Sequence, residues 1–147
     1  MKKELSSEQL FVLRSVSSQA REAWLAGRVE EAEIFLMKAW AIFPEQPKEY
    51  DYAQSISRGI VIFYRDTKQF SKAIEWLEVM RDTYASPQEP SVEFLSGRVQ
   101  YLAGDSDKAF SIYDSLFQKF KKRSFEGEKP EYWAFYKNEV EFRRQKK

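Results

Sequence analysis

The sequence predicts an all-α protein: three stacked antiparallel helical hairpins and a C-terminal capping helix. Three observations predict it. A turn followed by a buried-type alanine recurs as Gly27-Arg-Val-Glu-Glu-Ala32, Lys68-Gln-Phe-Ser-Lys-Ala73 and Gly104-Asp-Ser-Asp-Lys-Ala109. Ala32 and Ala73 lie 41 residues apart, and Ala73 and Ala109 lie 36 apart; a period in this range marks stacked helical hairpins. Apolar residues also recur at i, i+3, i+4 and i+7 through seven segments, and no stretch alternates as a strand would.

The first segment runs from about Ser7 to Ala26, with Leu10, Leu13, Val16, Ala20, Ala23 and Trp24 on one stripe. Ser7 is placed to cap it and Gly27 to stop it. The second runs from about Val29 to Phe43, with Glu30 and Glu31 in a first turn where acids favour the helix dipole. Pro44-Glu-Gln-Pro47 then reads as a loop, because proline cannot continue a helix interior. The third helix is expected over about Lys48–Thr67 and the fourth over about Ser71–Tyr84, followed by a break at Ser86-Pro-Gln-Glu-Pro90. The fifth is expected over about Ser91–Ala103, the sixth over about Ser106–Lys122, and the seventh over about Glu131–Gln145 after the loop 124–130. The hairpins are thus residues 7–43, 48–84 and 91–122, with the cap at 131–145. Connections this short make successive helices antiparallel neighbours, and 147 residues fit one domain.

Composition narrows the chemistry. The chain has no cysteine and no histidine, which excludes disulfides, zinc fingers, thiol catalysis and any histidine-based triad. A histidine-dependent metal site is excluded too, no nucleotide-binding or nucleophile-elbow glycine motif occurs, and nothing in the sequence argues for a carboxylate pair in a dry cleft, so no metal or cofactor is expected. Asp105 and Asp107 read as helix caps. The expectation is a protein that is not an enzyme. Formal net charge is +1, which argues against nucleic acid as a ligand. Residues 117–147 carry ten Lys/Arg against five Asp/Glu, leaving 14 against 18 elsewhere; a solvated helix face or an acidic partner would each account for that tail. Lys121-Lys-Arg123 reads as charge at a helix C-terminus. The N-terminus lacks the apolar run of a signal peptide and no segment is long enough to span a membrane, so a cytoplasmic protein is expected.

The layout resembles the tetratricopeptide repeat. The first hairpin carries that family's pattern at Ala20, Gly27, Val29, Ala32, Leu36, Ala39 and Pro44. The second carries it in part at Tyr64, Phe70, Ala73 and Leu77, with Val61 and Met80 where small residues are usual. The third carries Gly97, Gly104, Ala109 and Tyr113, with Leu116 in place of a small residue and no proline. The resemblance covers about residues 10–122. It implies that the first helix of each hairpin lines a concave face, which places Arg14, Arg21, Trp24, Arg58, Arg65, Arg98 and Tyr101 along a groove. Spacing supports part of this without the family: Arg14 and Arg21, and Arg58 and Arg65, are seven apart and share a helix face.

Such a face would prefer carboxylates or phosphates, bound bidentately, and the expected ligand is a protein or acidic peptide. The bland alternative pairs these arginines internally with Glu22, Asp51, Asp66 or Glu93. Trp40, Trp76, Phe110, Phe117 and Phe120 read as core. Tyr132, Trp133, Phe135 and Tyr136 cover more than one helix face, so they are either a second partner surface or a wedged cap. Three roles fit: an adaptor, an immunity protein that sequesters a toxin, and a secretion-type chaperone, the last implying a homodimer.

Overall fold

The computed structural model describes residues 2–84 and 89–146, so most of the expected break at Ser86–Pro90 lies outside the described residues. Seven helices are found there: α1 Ser7–Leu25, α2 Val29–Ala41, α3 Ala53–Asp66, α4 Phe70–Asp82, α5 Pro90–Leu102, α6 Ser106–Phe120 and α7 Pro130–Gln145. The chain divides into two compact units, Met1–Pro87 and Gln88–Lys147.

The three turn motifs share one backbone hydrogen-bond pattern. Gly27, Lys68 and Gly104 take φ of 79°, 60° and 89°, the left-handed conformation that ends a helix. The next residue's amide reaches back five residues: Arg28 N donates to Ala23 O at 2.8 Å, Gln69 N to Tyr64 O at 2.8 Å, and Asp105 N to Gln100 O at 2.9 Å. The left-handed residue itself donates three residues back, to Trp24, Arg65 and Tyr101, at 3.0 to 3.1 Å. Both ends of the Schellman motif are therefore made three times. Arg28, Gln69 and Asp105 then start the following helix, their carbonyls accepting from the amides of Ala32, Ala73 and Ala109 at 2.9 to 3.0 Å. This explains the fixed five-residue step from turn residue to alanine. All three alanines are fully buried, because a methyl side chain there lets two helix axes come closer than a leucine would.

In the first unit α1 packs on α2, α2 on α3, and α3 on α4. Its buried residues include Leu13, Ala20, Ala23, Leu36, Ile60, Phe63, Leu77 and Met80. Trp24 on α1 meets Phe63 on α3 edge-on, with ring centroids 5.3 Å apart. Glu33 ties three helices together: it accepts from the Tyr64 hydroxyl at 2.6 Å and pairs with Lys72 Nζ at 2.9 Å. Both donors hold its carboxyl below the usual glutamate range, the tyrosine hydrogen bond most of all. A short extended segment also pairs here, with Lys3 N donating to Glu49 O at 2.7 Å and Asp51 N to Lys3 O at 3.0 Å.

In the second unit α5 packs on α6, and α7 lies against them. The core is aromatic: Phe94, Tyr113, Phe125, Tyr132 and Tyr136 are buried, with Phe110, Phe117, Trp133 and Phe135 packed around them.

Several boundaries differ from those expected. Ser6, not Ser7, caps α1: its hydroxyl accepts from Gln9 N at 3.0 Å and the Gln9 side chain accepts from Ser6 N at 2.9 Å, a reciprocal capping box. Helix α3 begins at Ala53 rather than Lys48, because a 3-10 turn occupies Pro47–Glu49 and Tyr52 takes φ of 75°. Helix α6 stops at Phe120, where Lys121 takes φ of 56°, and Lys121–Phe125 forms a 3-10 turn. The basic run therefore lies beyond the α-helix. Trp40, Trp76, Phe110, Phe117 and Phe120 are half-buried rather than fully interior.

Candidate protein-interaction face

Helix α1 separates two faces. Leu13, Ala20 and Ala23 are buried, and Leu10 and Val16 pack with Leu13 against Ala39, Phe43 and Ala53. Phe11, Arg14, Ser18, Arg21 and Leu25 follow one another at steps of three and four residues, which sets them on one line along the helix. All five are exposed. Its two apolar ends, Phe11 and Leu25, are 74% and 79% exposed. The line is about 21 Å long at 1.5 Å per residue.

Arg14 and Arg21 make no ion pair or hydrogen bond with any described residue, and both guanidinium groups are open to a ligand. Phenylalanine and arginine are residue types enriched in protein interfaces. Phe11 and Leu25 escaped the sequence reading. Their spacing from Ser18 by seven on either side was the available signal, but an apolar residue on an amphipathic helix is ordinarily assigned inward.

The remaining sequence-predicted residues are engaged to different degrees. Trp24 is half-buried against Phe63. Arg65 Nε donates to Asp66 Oδ1 at 2.8 Å, one of the internal pairings anticipated. Arg58 is half-buried, and its Nη1, like Arg65 Nη1, is buried with no hydrogen-bond partner among the described residues. In the second unit Arg98 Nη1 donates to Glu128 at 3.1 Å and the guanidinium lies 5.5 Å from the Tyr132 ring centroid. Tyr101 is half-buried between Tyr132 and Phe135, at 5.5 and 4.8 Å. Of the seven, Arg14 and Arg21 are the two that are exposed and have no internal partner among the described residues.

Among the α7 aromatics Phe142 is 52% exposed, and the four expected as a second surface are more covered. Tyr132 and Tyr136 are buried, and Trp133 and Phe135 half-buried. The helix meets three neighbours, so several of its faces are covered at once. Tyr132 touches Phe94 and Tyr101 of α5, Tyr136 stacks on Phe110 of α6 at 5.6 Å, and Trp133 meets Phe125 of the 3-10 turn at 5.1 Å. The Tyr136 hydroxyl donates to Asp114 at 2.6 Å; burial, then that carboxylate, pushes its pKa up.

Among the described residues no group of three acidic side chains converges as a metal site. No helix among them is long and apolar enough to cross a membrane. No protein-family model matches the chain, and no curated protein matches it.

Proposed function

We propose that the chain is a non-catalytic protein-interaction module of the tetratricopeptide-repeat kind, acting in the cytoplasm and binding an acidic protein segment across the outer face of α1. The single observation that carries this reading is the line Phe11, Arg14, Ser18, Arg21, Leu25: two highly exposed apolar ends around two arginines with no internal partner. The three turns with one hydrogen-bond pattern, and their buried alanines, support the repeat kinship. The binding works by occupancy. Phe11 and Leu25 would supply desolvated contact area, and the arginines would orient a carboxylate-bearing ligand and reject a basic one.

The test is affinity capture from native cells with tagged full-length protein, beside Arg14→Glu/Arg21→Glu and Phe11→Ser/Leu25→Ser variants. A stoichiometric partner held by wild type and lost by both variants, with helicity unchanged by circular dichroism, supports the reading. A partner held equally by all three places the binding surface elsewhere.

A further inference from the structure

A second surface lies wholly in the α5–α7 unit. Between α6 and α7 runs an open groove of about 930 Å³, lined by Phe110, Phe117, Trp133, Tyr136 and Val140. Trp133, Tyr136 and Val140 stand at i, i+3 and i+7 and so form one line along α7. Phe110, Phe117, Trp133 and Val140 are each half-buried, packed on the core yet still accessible.

The charge around this groove is unbalanced. Lys122 Nζ lies 5.3 Å and Lys137 Nζ 5.6 Å from the Trp133 ring centroid, and Lys121 Nζ lies 5.7 Å from that of Phe117. None of the three ammonium groups has a carboxylate partner among the described residues. At the other end Arg144 has an exposed contact at 3.4 Å with Glu141. The carboxylates that line the groove are already engaged: Asp114 accepts from the Tyr136 hydroxyl at 2.6 Å and from Gln118 at 3.3 Å, and Glu141 faces Arg144. An apolar floor with uncompensated cations at its rim matches a ligand of opposite charge pattern.

The shape adds a length. From Trp133 to Arg144 the lining runs eleven helical steps, about 16 Å, or three turns of a helix. Two packed helices offer a third helix the ridges and grooves it needs, and a helix in such a groove reads as anchors at i, i+3 or i+4, and i+7.

We propose that this groove docks an acidic amphipathic helix of another protein. Its apolar anchors sit over Phe117, Trp133 and Val140, and its carboxylates reach Lys122 and Lys137 at one end and Arg144 at the other. This reading is independent of the α1 face and uses none of its residues.

The test uses the full-length protein and a displayed library of 16-residue peptides of helical pattern, with randomised apolar positions and Glu, Lys or Ser at the flanks. Selection is run on wild type and counter-selected on Lys122→Glu/Lys137→Glu. Enrichment of Glu-flanked sequences with an apolar stripe, binding wild type at least tenfold more tightly than the double variant and unaffected by Arg14→Glu/Arg21→Glu, is the expected result. No enrichment, enrichment of Lys-flanked peptides, or binding that persists on the double variant overturns the proposal. So does concentration-dependent dimerisation in sedimentation velocity that Val140→Asp abolishes, since a second copy would then occupy the groove.

Discussion

The ring of Tyr113 on α6 occupies the space that a β-carbon on Gly97 of α5 would need. Such an atom would lie 2.9 Å from Cζ and 3.0 Å from Cδ1, inside van der Waals contact, with Cε1 nearer still. A glycine in mid-helix costs about 1 kcal/mol relative to alanine, so its presence in α5 is accounted for by this approach. Tyr113 is fully buried among Phe94, Phe125, Tyr132 and Phe135, and the ring has nowhere to retreat. Gly97→Ala is expected to destabilise the α5–α7 unit by about 1–3 kcal/mol despite its better helix propensity. Urea unfolding followed by far-UV circular dichroism checks this, and Tyr113→Leu in the same background should recover part of the loss.

The Tyr113 hydroxyl itself is buried with no hydrogen-bond partner among the described residues, and burial pushes its pKa up. An unpaired buried hydroxyl costs about 1–3 kcal/mol of desolvation. Tyr113→Phe keeps the packing and removes that penalty, so it should leave stability unchanged or raise it, read by the same urea midpoint. A clear loss would mean the hydroxyl is satisfied in solution.

Lys68 holds the left-handed position that Gly27 and Gly104 hold in the other two turns. The left-handed conformation costs an L-residue about 1–2 kcal/mol, and glycine's extra unfolded-state entropy returns about 0.5–1. Lys68→Gly should therefore stabilise the α1–α4 unit by up to about 1 kcal/mol, seen as a higher thermal midpoint. Gly27→Ala should lower that midpoint, and Gly104→Ala the midpoint of the α5–α7 unit.

The Glu33 junction of α2, α3 and α4 should be sensitive to acid. Its carboxyl titrates lower in the folded state than the ordinary value of about 4.3. A lowered folded pKa gives stability that is complete above about pH 4.3 and is lost as the pH falls through the folded value. Tyr64→Phe removes the larger of the two causes and should cost about 1 kcal/mol at pH 7. The gap between wild type and variant should shrink on titration from pH 6 to pH 3, measured by urea midpoints at each pH.

Features set by local backbone demands were legible in the sequence. Gly27 and Gly104 announced their turns, and the alanines five residues on announced buried helix crossings, because both follow from steric rules acting over a few residues. Lys68 was legible through its place in the same pattern. What escaped depends on tertiary contacts. The late start of α3 follows from a 3-10 turn and a left-handed Tyr52 that no helical propensity signals. Phe125 is a core residue inside what reads as a polar loop. Arg98 finds Glu128 thirty residues away, beyond the reach of periodicity. In the candidate face, Arg14 and Arg21 were readable from their spacing. The exposure of Phe11 and Leu25 was not, since periodicity gives a shared face without saying which side of it meets solvent.

The proposed function requires a partner on the exposed face of α1. A photocrosslinking amino acid placed at Ser18, midway between Arg14 and Arg21, tests it most directly in living cells, with Lys38 on α2 as an exposed control. The expected result is one dominant crosslinked protein from position 18, absent from position 38 and lost on adding Arg21→Glu. Equal crosslinking from both positions, or a product at position 18 indifferent to Arg21→Glu, would contradict it.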